Sequence, residues 1–134
     1  MKQERSNKSN HIKKMEEILP TLSSFSTPID RSLEYKVEIG NAFGFKLFAD
    51  KEVGVERTFV QAGTKFPIHI HKGQKQIHIY YQGSGILNID GKVSEYNVGD
   101  CNFIPADAPH YLEAKTDTWM IICTVPLDRK AWNI

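Results

Sequence analysis

The sequence FPIHIHKGQKQIHIYYQG, residues 66–83, contains three of the five histidines of this chain. Successive side chains of a β-strand point to opposite faces, so His69 and His71 are expected to point the same way. Three polar side chains of the next predicted strand share one face, namely Gln76, His78 and Tyr80. If this polar face lines a barrel and the isoleucines between pack outward between sheets, the barrel has room for one small ligand.

Strand-like runs separated by turns continue the pattern on both sides of this stretch. The predicted strands are residues 33–39, 42–48, 55–61, 76–82, 85–90, 92–98, 101–104, 110–114 and 118–125. Asp90-Gly91 between two such runs predicts a two-residue hairpin. Many short strands at this spacing indicate an all-β sandwich or barrel.

The remainder of the chain is expected to lie outside the barrel. Residues 1–32 are predicted to be a disordered tail, a short N-terminal helix that ends at Pro20, and a loop. Residues 33–134 form the predicted barrel domain, followed at the C-terminus by a tail that begins after Pro126. The apolar face of so short a helix must dock on the barrel or on a second subunit.

Composition excludes several classes of partner. The 134 residues carry a formal net charge of +1 and scattered lysines, which argues against nucleic acid. No apolar run approaches the roughly 20 residues that a membrane span needs, and no signal peptide is visible, so we expect a cytoplasmic protein. Cys101 and Cys123 are too few for a disulfide scaffold and are predicted to be reduced core residues.

The histidines have the chemistry and spacing of a metal site. Two neutral imidazoles on one face can bind one divalent ion, and imidazole nitrogen suits Zn, Cu, Fe and Ni. A lone H-x-H pair is weak evidence, but here it stands in a wider frame. The frame consists of Gly63, Gln76 and Gly83 around the pair, and Gly99, Pro105 and His110 downstream.

This frame resembles the two motifs of the cupin family, with departures at Gln76, Asp107 and Ala114, where glutamate, glycine and asparagine are usual. The resemblance covers about residues 36 to 125. It implies a double-stranded β-helix, or jelly-roll, barrel that holds one divalent transition metal (Ni, Zn, Fe or Mn), and it also implies a homodimer. The implied metal ligands are His69, His71, Gln76 and His110.

The glutamine has two readings. A carboxamide leaves the +2 charge of an ion uncompensated, which favours an anionic substrate and a stronger Lewis acid. The resemblance permits this reading, since some small cupins linked to sugar-acid breakdown use a His, His, Gln, His set. The competing reading is that Gln76 marks a degraded site in which metal binding is weak or lost.

Four further residues were considered for the site. His78 and Tyr80 are the candidates for catalytic proton transfer, and their alternatives are an interior histidine and a packed core tyrosine. Arg57 is the candidate for binding a substrate carboxylate, against the alternative of a solvated arginine, because strand parity across Gly63 is open. Asp107 reads as a turn residue that bonds its own backbone.

Three functions follow from these residues. The first is a metal-dependent enzyme, of isomerase, lyase or dioxygenase type, acting on a small, oxygen-rich, anionic metabolite such as a sugar acid. The second is a non-catalytic module that binds or senses a small ligand, with weak or no metal. The third is a structural domain that has lost its site, which the intact histidines argue against.

Overall fold

The structure, a computed structural model, describes residues 32–126, which form nine β-strands and no helix. The strands are β1 (Ser32–Glu34), β2 (Ala42–Ala49), β3 (Gly54–Val60), β4 (Lys75–Gln82), β5 (Gly85–Ile89), β6 (Lys92–Tyr96), β7 (Cys101–Ile104), β8 (His110–Ala114) and β9 (Thr118–Val125). Nothing in this part of the chain is a helix that could span a membrane. The predicted N-terminal tail and helix and the C-terminal tail lie outside the described residues.

The strands form two antiparallel sheets, which confirms the all-β prediction. The larger sheet has the order β1-β2-β3-β9-β4-β7, and the smaller one has the order β6-β5-β8. The hairpin between β5 and β6 turns at Asp90 and Gly91, whose φ angles are both positive, at 53° and 85°. Such a two-residue turn matches the twist of the flanking strands, so this predicted hairpin is also confirmed.

The core lies between the two sheets, as expected of a jelly-roll barrel. It is built from inward-facing side chains of both sheets, namely Ala42, Val60, Tyr80, Leu87, Tyr96, Leu112, Ala114, Met120 and Ile122. Burial of this much apolar surface is the main stabilising contribution to the fold. The alternation of strand side chains leaves part of the inward surface polar, and that part lies at one end of the barrel.

Two segments depart from the predicted strands. The predicted strand 33–39 ends at Glu34, because residues 38 and 39 leave β2 and bond the backbone of Lys65 instead. The H-x-H segment is extended but is not a regular strand: within the described residues its ladder pairing is one isolated bridge, between His69 and His110. Pro67, which has no N–H to donate, interrupts any longer ladder here.

The outer face of the larger sheet also differs from expectation. Ile77 and Ile79 were predicted to pack between sheets, but they are 39% and 42% exposed. They lie beside Cys101 of β7 and Cys123 of β9 in the sheet register. The prediction that both cysteines are core residues is therefore wrong, since Cys101 is exposed and Cys123 is half-buried.

Candidate metal centre

Three histidines meet at one end of the barrel. His69 and His110 exchange both backbone hydrogen bonds at 3.0 Å, so their side chains leave on the same side. His71, two residues after His69, points to that side as well, as strand parity predicted. The ligand atoms of His69, His71 and His110 all lie within 4.8 Å of one another.

Backbone carbonyls fix the orientation of two of these rings. His69 Nδ1 donates a hydrogen bond to the Pro67 carbonyl at 2.8 Å, and His110 Nδ1 donates one to the Ala108 carbonyl at 2.9 Å. A carbonyl oxygen only accepts, so Nδ1 carries the proton and Nε2 keeps its lone pair. Metal-binding histidines are commonly held this way.

The cluster favours neutral imidazoles. Burial, together with the nearby rings of His69 and His110, lowers the pKa of His71 to about 4. Burial and the nearby His69 lower the pKa of His110 to about 4, against the hydrogen bond to Ala108, which raises it. Unprotonated nitrogens that converge on one point are the donor set of a divalent transition metal, so the residues present fit such an ion.

Asp107 ties together the two loops that carry the histidines. Its φ of 65° lies in the left-handed region, which explains why glycine is usual at this motif position and why aspartate is tolerated. Its carboxylate accepts a hydrogen bond from the Gly73 N–H at 2.9 Å, and its own N–H donates to the His71 carbonyl. Asp107 thus bonds a neighbouring loop rather than only its own turn.

Gln76 and His78 project from β4 into the same cavity. The Gln76 amide nitrogen donates to the Thr124 hydroxyl at 3.1 Å, and its oxygen lies 3.1 Å from His78 Nε2. In this arrangement His78 Nε2 donates, and the buried His78 Nδ1 has no hydrogen-bond partner. Burial first, and then His110, His71 and His69, lower the pKa of His78 to about 3.

The histidines open onto a cavity of ≈ 380 Å³. Its second polar wall consists of Tyr35, Glu56 and Thr58. The Tyr35 hydroxyl and the Thr58 hydroxyl, the latter at 2.8 Å, both donate to Glu56 Oε1. Burial raises the pKa of Glu56 to about 7, against the two hydrogen bonds, which lower it.

Gly44, which has no side chain, makes room for Tyr35. A Cβ built on Gly44, which pairs with Thr58 on the next strand, would lie 2.7 Å from the Tyr35 hydroxyl. The Tyr35 ring therefore lies where only glycine allows it, and its hydroxyl reaches Glu56.

The other two predicted site residues do not line this cavity. Tyr80 is buried in the core, where its ring stacks on Tyr96 with centroids 4.1 Å apart and its hydroxyl accepts a hydrogen bond from Asn102. Arg57 is on the opposite face of β3 from Glu56, beside Tyr81 on the outer side of the sheet. The sequence left open which side chains of β3 point inward, and the structure shows that Glu56 does.

The wall formed by Tyr35, Glu56 and Thr58 was not predicted from the sequence. Glu56 and Thr58 are two residues apart on one strand, which is the same parity signal that identified the histidines. Tyr35 carried no such signal, because its position depends on the end of β1 and on the small residue at Gly44.

Comparison with known proteins places this site in a family. Residues 57–126, more than half of the chain, match the cupin domain family (Cupin_2). The chain is similar to an uncharacterized protein of Methanocaldococcus jannaschii, at 26% identity over 97 residues that cover 69% of this chain and 78% of that protein.

Solved structures show the same architecture. An RmlC-like cupin from Shewanella frigidimarina has a TM-score of 0.64 at 20% identity, covering 72% of this chain and 87% of that one. KdgF from Halomonas sp. has a TM-score of 0.63 at 16% identity, covering 72% of this chain and 90% of that one. At such identities the likeness shows the shared fold alone.

Proposed function

This chain belongs to the cupin family, and on that premise we propose that it is a metal-dependent enzyme acting on a small, oxygen-rich, anionic metabolite such as a sugar acid. The observation that carries the proposal is the convergence of three imidazoles on a cavity of metabolite size. The family spans many reactions, so the function is argued from this site rather than from the fold.

His69, His71 and His110 would hold the ion through nitrogen atoms that carry no proton. Gln76 is the proposed fourth ligand, because an amide oxygen has two lone pairs and can accept from His78 while facing an ion with the other. A divalent ion of Ni, Zn, Fe or Mn, when bound, would supply Lewis-acid polarisation of substrate oxygens.

Neutral ligands explain the proposed preference for an anion. Three imidazoles and one carboxamide leave the charge of the ion uncompensated at that end of the cavity. The carboxyl group that lines the cavity, on Glu56, belongs to the other wall. The electrostatic partner of a substrate carboxylate would therefore be an ion held by the histidines.

His78 is the proposed proton-transfer residue. Its Nδ1 is buried, lacks a hydrogen-bond partner, and belongs to a ring that lines the cavity. An acceptor in that state gains a hydrogen bond when a substrate hydroxyl or acidic C–H approaches it. Such a step suits an isomerase or lyase, whereas a dioxygenase would depend on a redox-active ion.

One observation favours the alternative of a non-catalytic binding cupin. The Gln76 oxygen bonds His78 in this structure, which leaves the histidines as a three-nitrogen site. In that case the cavity would hold a small ligand with weak or no metal, and turnover would be absent.

Elemental analysis of protein purified without added metal or chelator tests the proposal. We expect close to one equivalent of a single transition metal per chain, and loss of most of it in His110→Ala. Lys115→Ala, which removes an exposed side chain outside the cavity, is the matched control and should keep the metal. No metal, and no uptake of added Zn, Ni, Mn or Fe(II), would refute the enzyme and leave the binding module.

We also propose that the protein acts as a homodimer in the cytoplasm. The exposed apolar face formed by Ile77, Ile79, Tyr81 and Phe103 supports self-association. The free thiols of Cys101 and Cys123 are consistent with a reducing compartment. Light scattering that gave a monomer mass at micromolar concentration would refute the dimer, and cell fractionation tests the compartment.

A further inference from the structure

Glu56 presents one hydrogen-bonded oxygen and one open oxygen to the cavity. The residue is only 4% exposed, and both of its side-chain hydrogen bonds, from Tyr35 and Thr58, end at Oε1. Within residues 32–126 no hydrogen bond reaches Oε2. This oxygen belongs to a carboxyl group that lines the cavity and keeps unused hydrogen-bonding capacity, so it is a binding position for a donor or acceptor on a ligand.

This position is separate from the histidine cluster. In the sheet register Glu56 pairs with Ile122, and Ile122 pairs with His78, so an apolar residue stands between the two polar groups. Phe66, Leu112 and Met120 also line the cavity between sheets. The cavity therefore has two polar ends joined by an apolar middle.

We propose that Glu56 is a specificity-determining residue, whose open oxygen binds a hydroxyl group on a ligand that has its carboxylate at the histidine end. The inference rests on the proposed function, because it needs the acid end of the ligand to be held by an ion at the histidines. It goes further by naming the substrate class as acids with a hydroxyl group distant from the carboxylate.

A hydroxyl fits Glu56 better than an ammonium group does. The pKa of about 7 means that the carboxyl group is present in both protonation states near neutral pH. A hydroxyl group can donate to the carboxylate and accept from the carboxylic acid, whereas an ammonium group only donates. The two groups already bonded to Glu56 are themselves hydroxyls.

The dimensions set the length of the ligand. Neighbouring strands lie about 4.8 Å apart, so the backbone of Glu56 is roughly 10 Å from that of His78, the residue on β4 that bonds the proposed ligand Gln76. Side chains from both ends shorten this span. A short linear acid with its hydroxyl group at the far end would reach both, and a cavity of ≈ 380 Å³ holds a molecule of that size.

The test is isothermal titration calorimetry of the full chain loaded with zinc. The probes are butanoate, pentanoate and hexanoate, each compared with its ω-hydroxy and its ω-amino derivative. We expect at least one ω-hydroxy acid to bind about 10-fold more tightly than its parent acid, as a hydrogen bond to a buried charged group allows. In Glu56→Met this preference should vanish, and in Glu56→Gln it should shrink.

Glu95→Gln, a change at an exposed carboxylate on β6, is the control and should keep the wild-type preference. Thermal unfolding of each variant verifies that it folds. The inference is overturned if zinc-loaded protein binds none of the acids, if Glu56→Met keeps the preference, or if the ω-amino acid binds tightest. Zinc is measured in every sample: a chain that takes up no zinc refutes the proposed function as well, whereas a zinc-loaded chain without hydroxyl preference refutes this inference alone.

Discussion

At the histidine end and the Glu56 end of the cavity, pKa values are shifted in opposite directions. At the histidine end, burial and like neighbours lower the pKa of His71 and His110 to about 4, so the groups stay uncharged. At the other end, burial raises the pKa of Glu56 to about 7, while two hydroxyl groups stabilise its ionised form. At both ends burial disfavours the charged form, so it lowers the pKa of the histidines and raises that of Glu56.

The difference shows what each end is ready to bind. The imidazole nitrogens of His69 and His110 have lone pairs and backbone partners that hold their rings, which is preorganisation for a cation. Glu56 is held by the hydroxyl groups of Tyr35 and Thr58, which carry no charge. Its surroundings therefore suit a neutral polar group on a ligand. Variants that change one end and leave the other unchanged test whether the two ends bind different groups.

The largest expected effect is on metal affinity. His69→Ala removes one of three converging nitrogens and should weaken zinc binding by at least about 100-fold, since even the loss of an outer hydrogen-bond partner weakens binding 10- to 100-fold. Glu56→Gln should change it less than about 3-fold, because Glu56 is not among the residues whose ligand atoms converge. Competition with a chromophoric chelator measures both affinities.

Equal losses of zinc affinity in His69→Ala and Glu56→Gln would show that Glu56 is part of the metal centre and that the two ends are not separate. A control is Glu95→Gln, which should leave zinc affinity at the wild-type value.

The second effect is on the pH dependence of stability in metal-free protein. A carboxyl group whose pKa is raised on folding contributes stability that is complete below its unfolded pKa of 4.5 and is lost as pH rises through about 7. From about pH 5 to about pH 8, wild type should therefore lose about 3 kcal/mol of unfolding free energy relative to Glu56→Gln. Urea unfolding at both pH values measures the difference.

The comparison with Glu56→Gln isolates this one group. Tyr35, the neighbouring-strand residue Lys46 and, beyond Ile122, His78 face Glu56 and are present in both proteins. The lowered pKa values of the histidines act in the opposite direction, since they destabilise metal-free protein as pH falls below 6.5, and they cancel in the difference. Parallel pH profiles for the two proteins would show that Glu56 ionises normally.

The smallest effect is expected at Asp107. Asp107→Gly removes the carboxylate that accepts from Gly73 but relieves the left-handed backbone, so stability should change by less than about 1 kcal/mol. Zinc affinity should fall by less than about 10-fold, because the loop that carries His71 loses one tie. Thermal unfolding and chelator competition give the two values. A gain in zinc affinity would show that this tie strains the site.

Local sequence pattern was enough to predict much of this molecule. Asp90-Gly91 specified its hairpin because few residue pairs accept two positive φ angles. Period-two alternation placed His78 inward and Ile79 outward on β4. The family motif, rather than periodicity, linked His110 to the pair His69 and His71, which the structure confirms as neighbours.

Local sequence pattern could not predict contacts between segments that are distant in the chain. Parity alone did not decide whether Arg57 points inward, because the turn at Gly63 separates β3 from the histidines. Tyr80 shares a face with His78 but lies one step deeper in the barrel, where Tyr96 covers it. Strand alternation specifies the face of a side chain and says nothing of its depth in the barrel.

The paired backbone bonds between His69 and His110 make the site a reporter of folding. These residues are far apart in sequence, and their rings approach only when the two segments have joined. An unfolded chain therefore offers an ion isolated imidazoles rather than a cluster, so ion binding would favour the native state by mass action. In a cell, supply of the ion would then influence how much of the protein survives proteolysis.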